Sequence, residues 1–308
     1  MDILAITLTI VGLALFETIS SIDNAIINAE VLGTMSAKAR RWFLIWGILI
    51  AVFLVRGLLP WIIIWASAPD LGFLGSLTAT FSNDPKVHEI IEKAAPPLLM
   101  GGGVFLILLF FHWLFLEEKH LGLPHEKFFQ EQGIWFYTIA ALVLTFIVYF
   151  SLQISGALAF GAVVGSTAFF ITHGFKQNAE AQEQRLLSGK SGISDISKIL
   201  YLEIIDATFS IDGVLGAFAF TLSVPLILAG NGLGAVLVRQ LTVSNMDTVK
   251  KFRFLKNGAM YSVLALGAIM VTDGFGIHVP QWVSPVSTFV IIGYFFGLSV
   301  WDLKKNPV

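Results

Sequence analysis

The sequence has no cysteine among its 308 residues, which excludes disulfides, thiolate-held zinc and iron–sulfur clusters and leaves the redox compartment unmarked. Charge is scarce too: Asp, Glu, Lys and Arg make up 13% of the chain, about half the roughly 25% of a soluble domain. No basic stripe is present, so nucleic acid is not a partner. No Walker sequence is present either, which argues against ATP hydrolysis within the chain. No nucleophile with its base and no water-activating metal triad stands out, so the chain does not read as an enzyme. The N-terminus, Met1-Asp2-Ile3, lacks the basic stretch of a secretory signal, and its apolar run continues past Glu17. It therefore reads as a retained first span.

Apolar residues are abundant instead. The chain is 56% hydrophobic, with 27 Phe and 8 Trp, and its mean hydropathy is +0.80. A span needs about 20 apolar residues. Segments near that length run over 3–32, 43–67, 95–116, 134–151, 154–172, 199–222, 225–243, 257–277 and 283–301. The expectation is an all-α polytopic membrane protein of about nine transmembrane helices. Residues 1–172 form one half, 173–198 a polar cytoplasmic linker, and 199–308 the second half.

Lys and Arg set the orientation. Lys38, Arg40, Arg41, Lys119, Lys127, Lys176, Arg185, Lys190, Lys198, Lys250, Lys251, Arg253, Lys256, Lys304 and Lys305 fall on one side, against Lys86 and Lys93 on the other. The N-terminus is then outside and the C-terminus cytoplasmic, in a multi-pass arrangement fitting a bacterial inner membrane.

Within the apolar runs a costly pattern appears twice. Glu17-Thr18-Ile19-Ser20-Ser21-Ile22-Asp23-Asn24 aligns without a gap on Asp206-Ala207-Thr208-Phe209-Ser210-Ile211-Asp212-Gly213. Each carboxylate at the bilayer centre costs about 2.5–3.5 kcal/mol. The orientation makes the two copies antiparallel, an inverted repeat of the kind found in secondary transporters. A second pair supports the repeat: Ala51-Val-Phe-Leu-Val-Arg56 resembles Ala235-Val-Leu-Val-Arg239. Antiparallel packing sets Glu17 level with Asp212, and Asp23 level with Asp206. These two tiers of carboxylates suit a divalent cation, with Asn24, Asn28, Ser21 and Ser210 adding neutral oxygens. A six-residue offset turns a straight helix about 600°, leaving the acids of one motif about 120° apart. Sharing a face requires distortion, expected at Ser20-Ser21 and Gly213/Gly216. The structural alternative is that the acids only pair with Arg56 and Arg239; four acids against two Arg leave negative charge over.

Other polar residues carry less. Glu203 has Ala14 as its counterpart, so symmetry does not support it; it reads as an interfacial Glu near Lys198, with a cytoplasmic entry ligand or proton acceptor as the alternative. His112 beside Trp113 reads as interfacial, and His173 as the start of a loop. His120 and His125 with Glu117, Glu118 and Glu126 read as a solvated loop, and His88 and Asp84 make no site. Gly101-Gly102-Gly103 favours close helix packing.

The two acidic motifs and Arg56 and Arg239 resemble those of the TerC family of integral membrane proteins, within the LysE-type transporter superfamily. The sequence departs from that family at Gly213, where many members have Ser, at Leu215-Gly216 in place of Ile-Pro, and in its span count. The resemblance implies a metal-ion transporter, Mn²⁺ export being the activity best associated with the family. The expected ligands are Glu17, Asp23, Asn24, Asp206, Ser210 and Asp212, with Mn²⁺ as cargo rather than resident cofactor. Proton antiport is the natural coupling. A Ca²⁺ or other cation exchanger, or a metal-binding membrane scaffold that metallates partner proteins, are the alternatives. Self-association is compatible with the sequence.

Overall fold

In hydrocarbon every backbone N–H and C=O must be satisfied within its own segment, so apolar runs of this length fold as helices. The computed structural model describes residues 3–47, 50, 56–79, 84–118, 123–187, 194–244 and 251–305. Of a few residues within these helices, Asp23 and His88 among them, only the backbone is described. The helices are α1 (Ile3–Ser20), α2 (Ile22–Gly33), α3 (Ala37–Trp42), α4 (Arg56–Ser67), α5 (Gly75–Thr78) and α6 (Pro85–Leu116). They continue with α7 (Pro124–Glu131), α8 (Phe136–Leu152), α9 (Gly156–Leu187), α10 (Asp195–Ala217), α11 (Val224–Ser244), α12 (Leu255–Gly274) and α13 (Val283–Lys305). A π turn, Phe43–Gly47, follows α3, and no strand occurs among the described residues.

Seven of these helical stretches are long and apolar enough to cross a membrane. They begin at Ile3, Pro85, Gly133, Gly156, Val224, Leu255 and Val283. The protein is an all-α polytopic membrane protein. Two expected spans are not among these seven. Within 43–67 the described helical stretches are the π turn Phe43–Gly47 and α4, and residues 48–49 and 51–55, with the Ala51–Val55 part of the repeat, lie outside the described residues. The 199–222 segment is the unbroken α10, whose Glu203, Asp206 and Asp212 make it too polar to qualify.

Close approaches fix the helix directions. Gly161 abuts the Pro97 carbonyl, Gly165 abuts the Gly101 carbonyl, and His112 meets His173, so α6 and α9 run parallel. Gly274 lies beside Met100, Gly103 beside Gly267 and Lys256 beside Glu117, so α12 runs antiparallel to α6. Gly230 lies beside Leu13 and Gly234 beside Glu17, which makes α1 and α11 parallel. Against α10 the order reverses: Glu17 meets Gly213, Asn24 meets Asp206, Thr34 meets Lys198 and Ser36 meets Asp195. The motif helices are therefore antiparallel, in the register expected from the repeat.

Two local expectations change. The 173–198 stretch is not a loop throughout, because α9 continues to Leu187; residues 188–193 lie outside the described set. Distortion of the motif helices is confined to Ser21 (φ −90°, ψ 2°) between α1 and α2. The Ser21 N–H still donates to the Glu17 carbonyl (3.1 Å), and the Ser21 carbonyl accepts from the Ala25 N–H (2.9 Å), so no backbone is unwound for an ion. No break occurs at Gly213 or Gly216.

The glycine triplet on α6 packs two helices at once. A Cβ on Gly101 would stand 2.8 Å from the Gly161 carbonyl oxygen of α9, and one on Gly103 would stand 2.8 Å from the Gly267 carbonyl oxygen of α12. Hydrocarbon gives helices no hydrophobic reason to associate, so such close backbone packing is what joins them. Gly101→Val is expected to lower the thermal stability of the detergent-solubilised protein, costing about 1–3 kcal/mol or more through overpacking. An unchanged melting curve would contradict this account of the α6–α9 seam.

Candidate membrane-embedded carboxylate site

Glu17 lies on the last turn of α1 and is 1% exposed. Its Oε1 accepts from the Ser21 hydroxyl at 2.6 Å and pairs with Arg56 Nη2 at 2.9 Å. Arg56, at the start of α4 and 5% exposed, also donates Nε–H to the Ser210 hydroxyl at 3.2 Å. Ser210 in turn donates to the Asp206 carbonyl, one turn back on α10, at 2.6 Å. One guanidinium thus ties α1, α4 and α10 together.

Two glycines leave room for the Glu17 side chain. A Cβ on Gly213 would lie 2.7 Å from Glu17 Oε2, and one on Gly234 would lie 2.6 Å from Glu17 Cβ. The Gly213 departure from the resembled family therefore has a steric consequence here: a serine would displace the carboxylate.

The other acids find different partners. Asn24 Nδ2 donates to Asp206 Oδ1 across α2 and α10. Asp212 Oδ2 pairs with Lys176 of α9. Glu17 is thus level with the Asp212–Gly213 step, and Asn24 with Asp206. Depth alone does not bring the carboxylates together, because Glu17 is held by Arg56 and Asp212 by Lys176. Among the described residues no three His, Cys, Asp or Glu side chains converge into a metal-holding group. The Asp23 side chain lies outside the described set. Arg239 pairs with none of the motif acids whose side chains are described.

Asp212 opens onto a cavity of about 770 Å³, lined in part by Phe16, Ser20, His112, His173, Lys176, Glu117, Glu118 and Lys256. His173 lies within α9 and does not begin a loop. Its ring and that of His112 both line this cavity, 3.9 Å apart between centroids and tilted by 53°. The acidic stretch near α7 is not merely a solvated loop either. Glu117 pairs with Lys256. Glu126 is fully buried, accepting from Asn257 Nδ2 at 2.7 and 2.9 Å and from the Leu123 N–H at 2.8 Å. His120 lies outside the described residues.

Lys176 is the side chain of this candidate site that sequence reasoning misplaced. Its spacing from His173 is i,i+3, and no proline separates Phe175 from Leu187. A helix continuing past the apolar run was therefore compatible with the sequence.

Around the motifs, the buried polar atoms left without a hydrogen bond among the described residues are Glu17 Oε2, Asn24 Oδ1, Asn28 Oδ1, Glu203 Oε1 and Asp212 Oδ1. All five are acceptors. The other such atoms belong to Ser151, Ser223, Asn231 and Ser262, outside the motif helices. Residues 22–306 match the family model described as a protein of unknown function, DUF475. The chain belongs to the DUF475 family. The match takes in the site of this DUF475 protein except for its α1 residues and Ser21, which precede residue 22. No curated protein and no solved structure matches the chain.

The Arg56–Glu17 pair has a measurable consequence. Removing one partner of a buried ion pair strands the other charge, at a cost of about 3–5 kcal/mol. Arg56→Met is expected to destabilise the protein by about that amount, and adding Glu17→Gln should recover much of it. Thermal unfolding of the wild type, both single variants and the double variant checks this; additive losses would mean that the two side chains are not coupled.

Proposed function

We propose that this DUF475 protein is a secondary transporter that exports a hard divalent cation, Mn²⁺ foremost, from the cytoplasm. The observation carrying this reading is the surplus of buried acceptor oxygens around the repeated motifs, which find no hydrogen-bond donor among the described residues. Buried polar groups in a native protein are ordinarily paired. Oxygens from carboxylates and amides are the ligands of Mg²⁺, Ca²⁺ and Mn²⁺. The resemblance to TerC-type transporters favours Mn²⁺ among these.

Arg56 and Lys176 fit the role of tethered counter-ions. With no cargo present each neutralises one motif acid, so the vacant carrier need not bury uncompensated carboxylates. A cation arriving from the Glu117–Glu118 mouth of the cavity would displace the Lys176 ammonium from Asp212. The ammonium would return once the ion leaves. The inward position of this mouth follows from the Lys- and Arg-rich loops, which place the N-terminus outside and the C-terminus in the cytoplasm. Protonation of a carboxylate weakens its hold on a metal, which suits proton antiport.

In proteoliposomes, Asp212→Asn is expected to abolish Mn²⁺ flux while the protein stays inserted and monodisperse; undiminished flux would sink the ligand assignment. Lys176→Met should slow net efflux at least about tenfold but spare Mn²⁺/Mn²⁺ exchange, because only the empty carrier needs the ammonium. Wild-type vesicles that bind Mn²⁺ without flux would favour the metallation scaffold instead.

A further inference from the structure

Compensation by Arg56 and Lys176 leaves a remainder of negative charge, and it is not evenly spread. Asp206 receives only the Asn24 amide, and Glu203, three residues earlier on α10, has no cation within ion-pair distance among the described residues. Three of the five unpartnered oxygens lie here, on Asn24, Asn28 and Glu203. Asn24 is 3% exposed, so its carbonyl is shielded from bulk solvent.

The helix geometry sets these groups facing one another. Asn24 and Asn28 are i,i+4 on α2, and Glu203 and Asp206 are i,i+3 on α10, so each pair shares a face. Asn24 bonds to Asp206. Further along the same antiparallel seam, Val31 and Leu32 pack with Leu202, and Thr34 accepts from Lys198 at 3.0 Å. Asn28 falls between these levels, opposite Glu203.

A third wall comes from the π turn at Phe43–Gly47, a local geometry that concentrates at functional sites. Gly47 lies so close to Glu203 that a Cβ there would overlap its Oε1. Val31, Leu32, Met35, Phe43 and Leu202 close the end towards Thr34 with a dry apolar cluster.

We propose that Glu203, Asp206, Asn24 and Asn28 form a cation position of their own, which takes a hard divalent ion through oxygen ligands alone. Its ligand set offers two carboxylates for a doubly charged ion and two amide oxygens beside them, with water completing the shell. It offers no imidazole or thiolate, the ligands that suit Zn²⁺ and copper, and only the oxygens that suit Mg²⁺, Ca²⁺ and Mn²⁺. The position of Glu203 differs from that of the motif acids in having no symmetry mate, since Ala14 stands at the matching place in the first copy. The position, formed where α2 and the π turn meet α10, therefore has no symmetry-related twin. That this ion is also cargo rests on the transport reading above; the binding position does not.

The test uses the full-length protein in phosphatidylcholine nanodiscs, with Mn²⁺ binding followed by electron paramagnetic resonance. Glu203→Gln is expected to weaken Mn²⁺ binding about tenfold or more. Gly47→Ala should do the same by pushing the carboxylate aside. Asn28→Asp adds a ligand charge and should tighten binding, a gain that misfolding cannot mimic. Affinities within about twofold of wild type for both Glu203→Gln and Asn28→Asp, or no Mn²⁺ binding by the wild type, would overturn the proposal. Binding that responds to Glu203→Gln in a protein showing no flux would support the position and count against transport.

Discussion

The ion pair between Glu17 and Arg56 is the contact on which the rest of the arrangement depends. Neither charge could remain buried alone. Glu17 sits where α1 meets α10 and α11, and Arg56 opens the short α4. Satisfying the pair therefore fixes four helices with respect to one another. Ser21 and Ser210 complete the hydrogen bonding, and Gly213 and Gly234 supply the space. Sequence features that look unrelated, a Ser-Ser pair, two glycines and a displaced arginine, serve one electrostatic requirement.

The two compensated acids differ in what their partners can do. A guanidinium held by Glu17 and Ser210 together cannot leave without stranding both, because its donors are set in a fixed fork. Lys176 carries a point charge on a flexible stem and faces Asp212 beside a cavity of about 770 Å³. The repeat made Glu17 and Asp212 look equivalent, but one is held by a forked guanidinium buried among the helices and the other by an ammonium beside a cavity.

Backbone proximity accounts for the remaining framework. The α6 glycines let α9 and α12 approach to carbonyl contact on either side, and the large aromatic side chains fill the space around these seams. Phe105, Phe136 and Phe169 are among the largest fully buried side chains. Tyr137, Phe146, Tyr149 and Phe150 on α8 face outward instead, as residues bordering lipid do.

Local composition was enough to establish several features, because they depend on properties each segment carries by itself. Apolar length marks a spanning helix wherever the helix packs. A repeated acid spacing keeps its register once the two copies are antiparallel, which is why Glu17 meets the Asp212–Gly213 step and Asn24 meets Asp206. Which cation answers which acid was decided only by the tertiary structure. Arg56 answers Glu17, whereas Asp212 is met by Lys176, a residue that looked like part of a polar linker, and Arg239 pairs with none of the described motif acids. His112 and His173 are far apart in sequence and become neighbours only because α6 and α9 run parallel at glycine distance. Charge compensation acts through space over a few ångströms, and a sequence states the order of charges without stating those distances.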